Sequence, residues 1–322
     1  MSSAKPAAQN ADSVPIVGDA LTVSFVAAMS TLAQISGSAL LLFPELGALS
    51  YDVFRRPDGA WAKAPAMLIA TPFLTGLVGT LTARNLPYGP LSVLVTVLCA
   101  MLVIRVLRSP VAPAISAGLL PLTLGETGWW YAPLLLVGSS LLAGICVLRQ
   151  RLRLLPAGAA PRGSHEASCD TPAEQDLSWL PFFAAFLAVG AYGGAVTGMR
   201  FLLCPPLAVV AFEMFAHCKR CPWAERPLLV PVICCLSALA AMLLVTWLGT
   251  GPLAAALSVT CGVVLMRVFK LHFPPAIAVG LLPFVMPHLD DRYPVAVTLC
   301  ALLLCLAFLL WRKTSAWSLA RH

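Results

Sequence analysis

The chain has 322 residues, of which 59% are hydrophobic and only 11% are charged. Soluble domains are about 45–50% apolar and about 25% charged, so this composition excludes an ordinary soluble protein and favours a membrane protein. The net charge of +7 comes from Lys and Arg in short clusters at segment ends. That distribution is typical of contact with lipid headgroups, and we expect no nucleic-acid partner.

The first half contains four stretches of about the 20 apolar residues that a membrane-spanning helix needs. They cover residues 21–43, 65–83, 89–107 and 131–148. A short segment, 43–54, begins at Pro44, and a proline-rich segment covers 109–121. Residues 1–19 hold no apolar core and predict a flexible N-terminal tail.

The second half has the same order of segments. Residues 154–177 have the composition of a polar linker. They are followed by a span at 178–199, a short segment at 204–215, an uncharged stretch at 227–266 with room for two spans, a proline-rich segment at 272–283 and a last span at 293–311. The predicted repeats are 20–153 and 178–314, with a tail at 315–322.

An internal repeat explains this order. Residues 89–121 and 251–283 share 14 identities in 33 positions, and the identities include Gly, Pro, Cys and Arg in one register. The sequence therefore predicts an all-α integral membrane protein made of two homologous helical bundles, each with about four spans and short broken helices. Four spans per half would give a parallel repeat, whereas five crossings per half would give an inverted one. The charge distribution leaves both open.

Most of the eleven cysteines lie in apolar runs, where Cys behaves as a small hydrophobe, so no disulfide is expected. The run from His217 to Cys221 contains a C-x2-C pair without the second pair that a zinc site needs. We expect no metal, no cofactor and no enzymatic activity, because no acid–base or nucleophile motif is present.

The segments Met266-Arg267-Val268, Leu271-His272-Phe273-Pro274-Pro275-Ala276 and Leu281-Leu282-Pro283 resemble the HPP family of integral membrane proteins. That family is named for a His-Pro-Pro-Ala motif preceded by Met-Arg. Pro44-Glu45-Leu46-Gly47-Ala48 and the loop ending at Pro227 are also similar to family segments. Here Phe273 separates His272 from the two prolines, and the first half keeps only Pro113 of the pair.

One family domain covers about half of this chain, so the resemblance implies a tandem of two HPP-like repeats. It also implies an integral membrane protein and a small-anion transporter, since a plastid member is linked to nitrite transport. We expect a multi-pass protein of a bacterial inner membrane, in contact with the lipid bilayer and able to form a homo-oligomer.

The proline-rich segments give the candidate site, because transporters use broken helices to place helix ends at the membrane midplane. A helix should restart near Pro275, leaving the amides of residues 276–278, and of 114–116, without intrahelical partners and available to an anion. Matched charges complete the set, and acidic residues could neutralise the arginines. The candidate solute-binding residues are Pro113, Ala114, Ile115, Arg105, Arg267, His272, Pro274, Pro275, Ala276, Ile277, Asp52 and Glu213.

The sequence therefore predicts a transporter or channel for a small solute, with a site near the midplane between the repeats. The alternative is a membrane-embedded structural or regulatory subunit that transports nothing. An occluded polar pocket between residues 110–118 and 272–280 would favour transport, and a dry, tightly packed seam would favour the alternative.

Overall fold

The computed structural model describes residues 13–152, 177–218 and 221–319, with side chains from residue 16 to residue 314 within those ranges. The predicted linker at 154–177 lies almost wholly outside the described residues, as do the first twelve. The described chain is all-helical and contains no strand, which confirms the predicted class.

The first half contains six α-helices and one 3₁₀ turn. They are α1 (Ser13–Ser36), the 3₁₀ turn Ala39–Leu42, α2 (Pro44–Arg55), α3 (Pro65–Asn85), α4 (Pro90–Leu107), α5 (Ala114–Leu124) and α6 (Tyr131–Leu152). Pro44, Pro65 and Pro90 stand at the start of their helices, where the missing N–H costs nothing.

The second half continues with α7 (Leu180–Thr197), the 3₁₀ turn Arg200–Leu203, α8 (Pro205–Ala216), α9 (Leu229–Leu248), α10 (Pro252–Val268), α11 (Pro275–Leu281) and α12 (Tyr293–Leu319). Two further 3₁₀ turns cover Pro222–Ala224 and Leu282–Phe284. A helix does restart at Pro275, as the sequence predicts.

Helix α1 differs from its predicted bounds at both ends. It begins at Ser13, so residues 13–19, which we assigned to the tail, are helical. The acidic Asp19 does not end the helix, because two arginines bind its carboxylate. The other end lies at Ser36, because Gly37 adopts a left-handed conformation with φ of 69° that stops the helix well before residue 43.

Within the described residues, seven helices are long and apolar enough to cross a bilayer: α1, α3, α4, α6, α7, α9 and α12. Helix α10, with 17 residues, occupies the place of α4 in the second half. The outer face of α4 is apolar and exposed at Leu91, Val95, Leu98, Leu102 and Val106. Such a continuous apolar face requires a lipid environment, and the chain is a multi-pass membrane protein.

Contacts between helix ends define two ends of the bundle. At the first, which we call the linker end, Gly18 of α1 lies against Phe54 and Arg55 of α2, and the α6 residue Gln150 donates to the carbonyl of Ala62. Trp311 of α12 donates to Ser178, just before α7. The chain therefore enters and leaves each half at this end.

The opposite end, which we call the cleft end, holds the end of α1 and the connections between α3 and α4 and between α5 and α6. Ser30 donates to the carbonyl of Thr250 at 3.4 Å, Tyr88 donates to that of Arg200 at 2.9 Å, and Arg84 donates to that of Thr127 at 2.8 Å. The short helices must run between these two ends.

Two broken segments in each half connect the ends. Helix α2 begins inside the bundle and ends at the linker end, and the 3₁₀ turn before it reaches the cleft end. The segment from Ser109 to Leu124 runs the other way, since Trp61 donates to the Pro110 carbonyl at the linker end and Arg200 approaches Leu122 at the cleft end. Each half therefore makes six passes, four by long helices and two by broken segments. Six is even, so the two halves enter the bundle from the same end.

This path predicts that the two chain termini and the linker share one side of the membrane. We expect epitope tags at Ser168 and at both termini to become accessible together when one side is exposed, because α1 starts, α6 and α12 end, and α7 starts at the linker end. Protease protection in sealed vesicles measures this. A tag at Ser168 on the opposite side from both termini would contradict six passes per half.

The two halves also share local geometry. Arg108 and Lys270, 162 positions apart, have left-handed φ values of 48° and 51°. The amides that follow them, of Ser109 and Leu271, donate to the carbonyls of Ile104 and Met266 at 2.9 and 3.0 Å. The two halves therefore share these local backbone features as well as the order of their helices. That the halves superpose as complete bundles stays a prediction.

Contacts between the halves are reciprocal. Helix α1 packs against α10, and α7 packs against α4; α2 packs against α11, and α8 packs against α5. The four short helices, α2, α5, α8 and α11, thereby form the centre of the protein. Nearly all of their residues are buried, and the candidate site must be sought among them and at their ends.

Candidate functional site

The starts of the short helices meet inside the bundle. Glu45, in the first turn of α2, accepts a hydrogen bond from Ser116, in the first turn of α5. The side chains of Ile277 and Leu281 in α11 lie against Gly47, where a Cβ atom would stand 2.9 Å from the Cγ2 of Ile277. The positive ends of the helix dipoles are therefore directed into this central region.

Glu45 is the most unusual residue of that region. It is only 2% exposed. Its Oε1 accepts from the hydroxyl of Ser116, but its Oε2 is buried and has no hydrogen-bond partner among the described residues. A buried carboxylate oxygen without a partner is costly, because the desolvation of the group is not repaid. Such a group in a membrane bundle is a functional candidate by default.

Two tyrosines flank the centre in matched positions. The hydroxyl of Tyr131 donates to the carbonyl of Ala117, and that of Tyr293 donates to the carbonyl of Val279, each at 2.7 Å. The two donors, Tyr131 and Tyr293, are 162 positions apart in the sequence, and so are the two acceptors, Ala117 and Val279. Both tyrosines are fully buried. Each hydrogen bond ties a short central helix to the following long helix of its own half.

A network of charged side chains closes the linker end. Asp19 of α1 binds Arg55 at 3.1 Å and also pairs with Arg267, at the end of α10. Arg55 donates to the hydroxyl of Tyr51 at 2.7 Å. The side chain of Asp19 is 11% exposed and that of Arg267 is 48% exposed. The Asp19–Arg267 pair thus joins the first half to the second across their interface.

A second set of contacts crosses the same interface beside the first. His272 stacks on the ring of Tyr51 with centroids 5.5 Å apart. Its Nε2 lies 3.1 Å from Asp52 and 2.9 Å from Arg56, and Arg56 itself pairs with Asp52. One nitrogen cannot donate to the carboxylate and accept from the guanidinium at once, so the tautomer of His272 selects one partner.

Three of the predicted site residues, Asp52, Arg267 and His272, therefore meet in this network. The predicted neutralisation of Arg267 by a matched acid is wrong, because its partner is Asp19. Glu213 pairs instead with His217 at 3.3 Å, within an aromatic cluster that includes Phe212. Arg105 is exposed on the outside of α4, as expected of an arginine that reaches the headgroups.

The remaining predicted residues lie in the core. Residues 113–115 and 276–277 and Pro274 are buried, and Pro275 is half-buried. The expectation of unpartnered amides there is wrong: the amides of Ala276 and Ile277 donate to the carbonyls of Phe273 and Pro274 at 3.0 Å. The amides of residues 114–116 are satisfied in the same way. A tight turn precedes each helix because Pro113 and Pro274 already have helical backbone angles.

A cleft of about 200 Å³ opens between the halves at the cleft end. The first half contributes the end of α1 and the 3₁₀ turn, and the second contributes Thr250 and Phe284. Its wall carries the polar side chains of Ser30 and Gln34, and its lining includes Leu42, which lies three positions before Glu45. The bundle is therefore closed by charges at one end and indented at the other.

The described residues contain no candidate metal site. No group of three or more His, Cys, Asp or Glu side chains converges there. None of the ten cysteines within the described segments is in a disulfide. Residues 219 and 220 of the C-x2-C run lie outside the described residues.

Comparison with known proteins agrees with the architecture of the second half. Residues 170–318 match the family model described as HPP, transmembrane region. The HPP match covers α7 to α12, including the segment with His272 and Pro275, and leaves the first half outside. No curated protein and no solved structure matches the chain.

Sequence reasoning missed Glu45, Ser116, Asp19 and the two tyrosines. A signal existed for the tyrosines, because Tyr131 and Tyr293 obey the offset of the repeat. Glu45 was visible as an acidic residue in an otherwise uncharged stretch from Asp19 to Asp52. Its burial became apparent only once the 3₁₀ turn placed the start of α2 inside the bundle.

Proposed function

We propose that this protein is a transporter of small solutes, with small inorganic anions such as nitrite as the first candidates. The observation that carries the proposal is the difference between the two ends. At the linker end, charged side chains join the halves across their interface. At the cleft end, a partly polar cleft lies between the halves, and the contacts that join them there include hydrogen bonds to the backbone carbonyls of Thr250 and Arg200.

Alternating access requires these features, since one end must be closed while the other admits the solute. Interface ion pairs are suited to the closed state because they can break and re-form as the halves rock. The reciprocal packing of α1 with α10 and of α7 with α4 supplies a surface on which such a motion could occur. A tandem of two HPP-like repeats accounts for this reciprocity, and we include it in the proposal.

A specific observation favours the alternative, a membrane-embedded subunit without transport. Residues 114–123 and 276–285 are buried throughout, and tight packing between the proline-rich segments is the feature that a structural role would require. The buried carboxylate of Glu45 in the same layer is difficult to explain on that view, because an apolar residue would pack there at lower cost.

An uptake panel in proteoliposomes tests the proposal. We expect protein-dependent entry of at least one small inorganic anion, starting with nitrite, nitrate and chloride. We expect Ala39→Trp to reduce that entry at least tenfold, because Ala39 lines the cleft and an indole would fill it. Leu141→Trp is the matched control, since Leu141 lies on the outer face of α6 at 43% exposure. Absence of uptake across the panel, or equal loss in both variants, would favour the subunit.

A further inference from the structure

We infer that Glu45 is a proton-binding site and that its protonation couples the entry of a monovalent anion to a proton. The inference rests on the proposed function and adds the coupling ion to it. Three observations carry it: the burial of Glu45, the lack of a partner for its Oε2, and its position between the starts of α2 and α5.

The first step concerns the charge of Glu45 itself. No Arg, Lys or His is paired with it among the described residues, and its one side-chain hydrogen-bond partner there is the hydroxyl of Ser116. An ionised carboxylate without a counter-ion is strongly disfavoured in an apolar interior, so the group binds a proton and becomes neutral. Of its two oxygens, Oε1 is already an acceptor, which leaves Oε2 to hold the proton.

The second step concerns the surrounding titratable groups. The titratable side chains near Glu45 include Tyr131 of α6, Tyr293 of α12 and Cys204 just before α8. Both tyrosine protons are already donated to backbone carbonyls. The charged groups on the helices around α2 lie at the linker end: Asp19 on α1, Arg149 on α6, and Asp52 and Arg55 on α2 itself. A carboxylic acid releases its proton more readily than a thiol or a phenol, so Glu45 is the side chain of this described group best suited to exchange a proton.

The third step relates that proton to an anion. When Glu45 is protonated, its O–H is a hydrogen-bond donor beside the positive ends of α2 and α5, and a small anion can be accepted there. When Glu45 is ionised, two like charges would stand together in a medium of low dielectric constant, and the anion is expelled. Leu42 lines the cleft and lies three positions before Glu45, so in this proposal both particles approach from the cleft end when the buried residues between them move.

The balance of the step is simple. One proton joins the Glu45 carboxylate to give the acid, one monovalent anion binds beside it, and both leave at the other side as the acid releases its proton. No net charge crosses the membrane. Uptake should therefore slow as the pH rises on the side of entry, since fewer Glu45 carboxylates hold a proton there.

Infrared difference spectroscopy of the purified protein in lipid tests the proton site without any transported solute. We expect the carbonyl stretch of a protonated carboxylic acid in the natural protein, its loss in Glu45→Gln, and its retention in Glu225→Gln, an exposed glutamate in the loop before α9. Retention of the full signal in Glu45→Gln would overturn the proton site. Loss of the signal on adding sodium at constant pH would assign the carboxylate to sodium and also overturn it.

Nitrite uptake with a pH-sensitive dye inside proteoliposomes tests the coupling, with protein-free liposomes as the background. We expect about one proton to accompany each nitrite in the natural protein and none in Glu45→Gln, while Glu225→Gln keeps the natural ratio. Unchanged proton movement in Glu45→Gln would overturn the coupling. If no anion enters but the infrared signal is present in the natural protein and lost in Glu45→Gln, the proposed function is wrong and the proton site is retained. Nitrite entry without protons in the natural protein retains transport and rejects the coupling.

Discussion

Replacing Gly79 with Ala is expected to prevent stable folding of the bundle. Gly79 of α3 faces Gly118 of α5, and a Cβ atom at position 79 would overlap the carbonyl oxygen of Gly118. The reverse contact is also close, since a Cβ at Gly118 would stand 3.1 Å from the carbonyl oxygen of Thr75. Backbone atoms cannot rotate away as a side chain can, so α3 and α5 would have to separate. We expect a loss of roughly 3 kcal/mol or more in the free energy of unfolding.

Thermal unfolding of the detergent-solubilised protein, followed by the loss of its monodisperse elution peak, measures this effect. Gly144→Ala is the matched control, because Gly144 lies in the long helix α6 with open space around its Cα. There Ala should be neutral or stabilising by up to about 1 kcal/mol, as expected from helix propensity. Equal melting temperatures for the two variants would show that α3 and α5 do not approach each other this closely.

Asp19→Asn should loosen the linker end. The carboxylate of Asp19 serves two arginines from opposite halves, and an amide would leave Arg55 and Arg267 close together without their counter-ion. Because Arg267 is half exposed, we expect a cost of about 1–2 kcal/mol, below that of breaking a fully buried pair. A shift of about 1.4 kcal/mol changes an equilibrium tenfold, so the population with an open linker end should rise by about that factor.

A cysteine introduced at Ala112, a buried position beside Pro113 at the linker end, would report the change through its rate of modification by a membrane-impermeant thiol reagent. The control is Asp290→Asn, which breaks a surface pair between Asp290 and Arg292 at 3.1 Å. Exposed pairs contribute little, so the labelling rate should not change. A rate in Asp19→Asn equal to that of the control would mean that these ion pairs do not hold the linker end closed.

The long helices could be predicted from the sequence because bilayer thickness imposes their length and composition. Residues 65–83 and 89–107 were assigned to spans and form α3 and α4 within two residues. The start of α1 was missed because Asp19 was interpreted as the polar border of a span. Its charge is tolerated inside a helix because Arg55 and Arg267 bind it. Both partners lie far away in the sequence, so local hydropathy gives no indication of them.

The number of passes was also beyond sequence reasoning. The short segments at 43–54 and 109–121 were recognised as broken, but 12 residues of helix extend only about 18 Å and do not suggest a crossing. The 3₁₀ turn at 39–42 and the non-helical residues at 109–113 complete the two passes, and neither segment has a hydropathy signal of its own. The local hydrogen bonds that satisfy the amides of Ala276 and Ile277 could not be predicted from the sequence either, because they depend on the backbone angles of Pro274.

The reciprocal packing has a consequence for assembly. Helices α2 and α11 cover each other, as do α5 and α8, so each half covers part of the surface of the other half's short helices. In a chain with only one set of six passes, a second copy could cover that surface by forming a two-fold homodimer, whose stability would depend on its concentration in the membrane. Joining the two sets in one polypeptide removes that dependence. It also allows the two halves to differ in sequence. Acids and arginines can then surround α2, while phenylalanines and tryptophans surround α8.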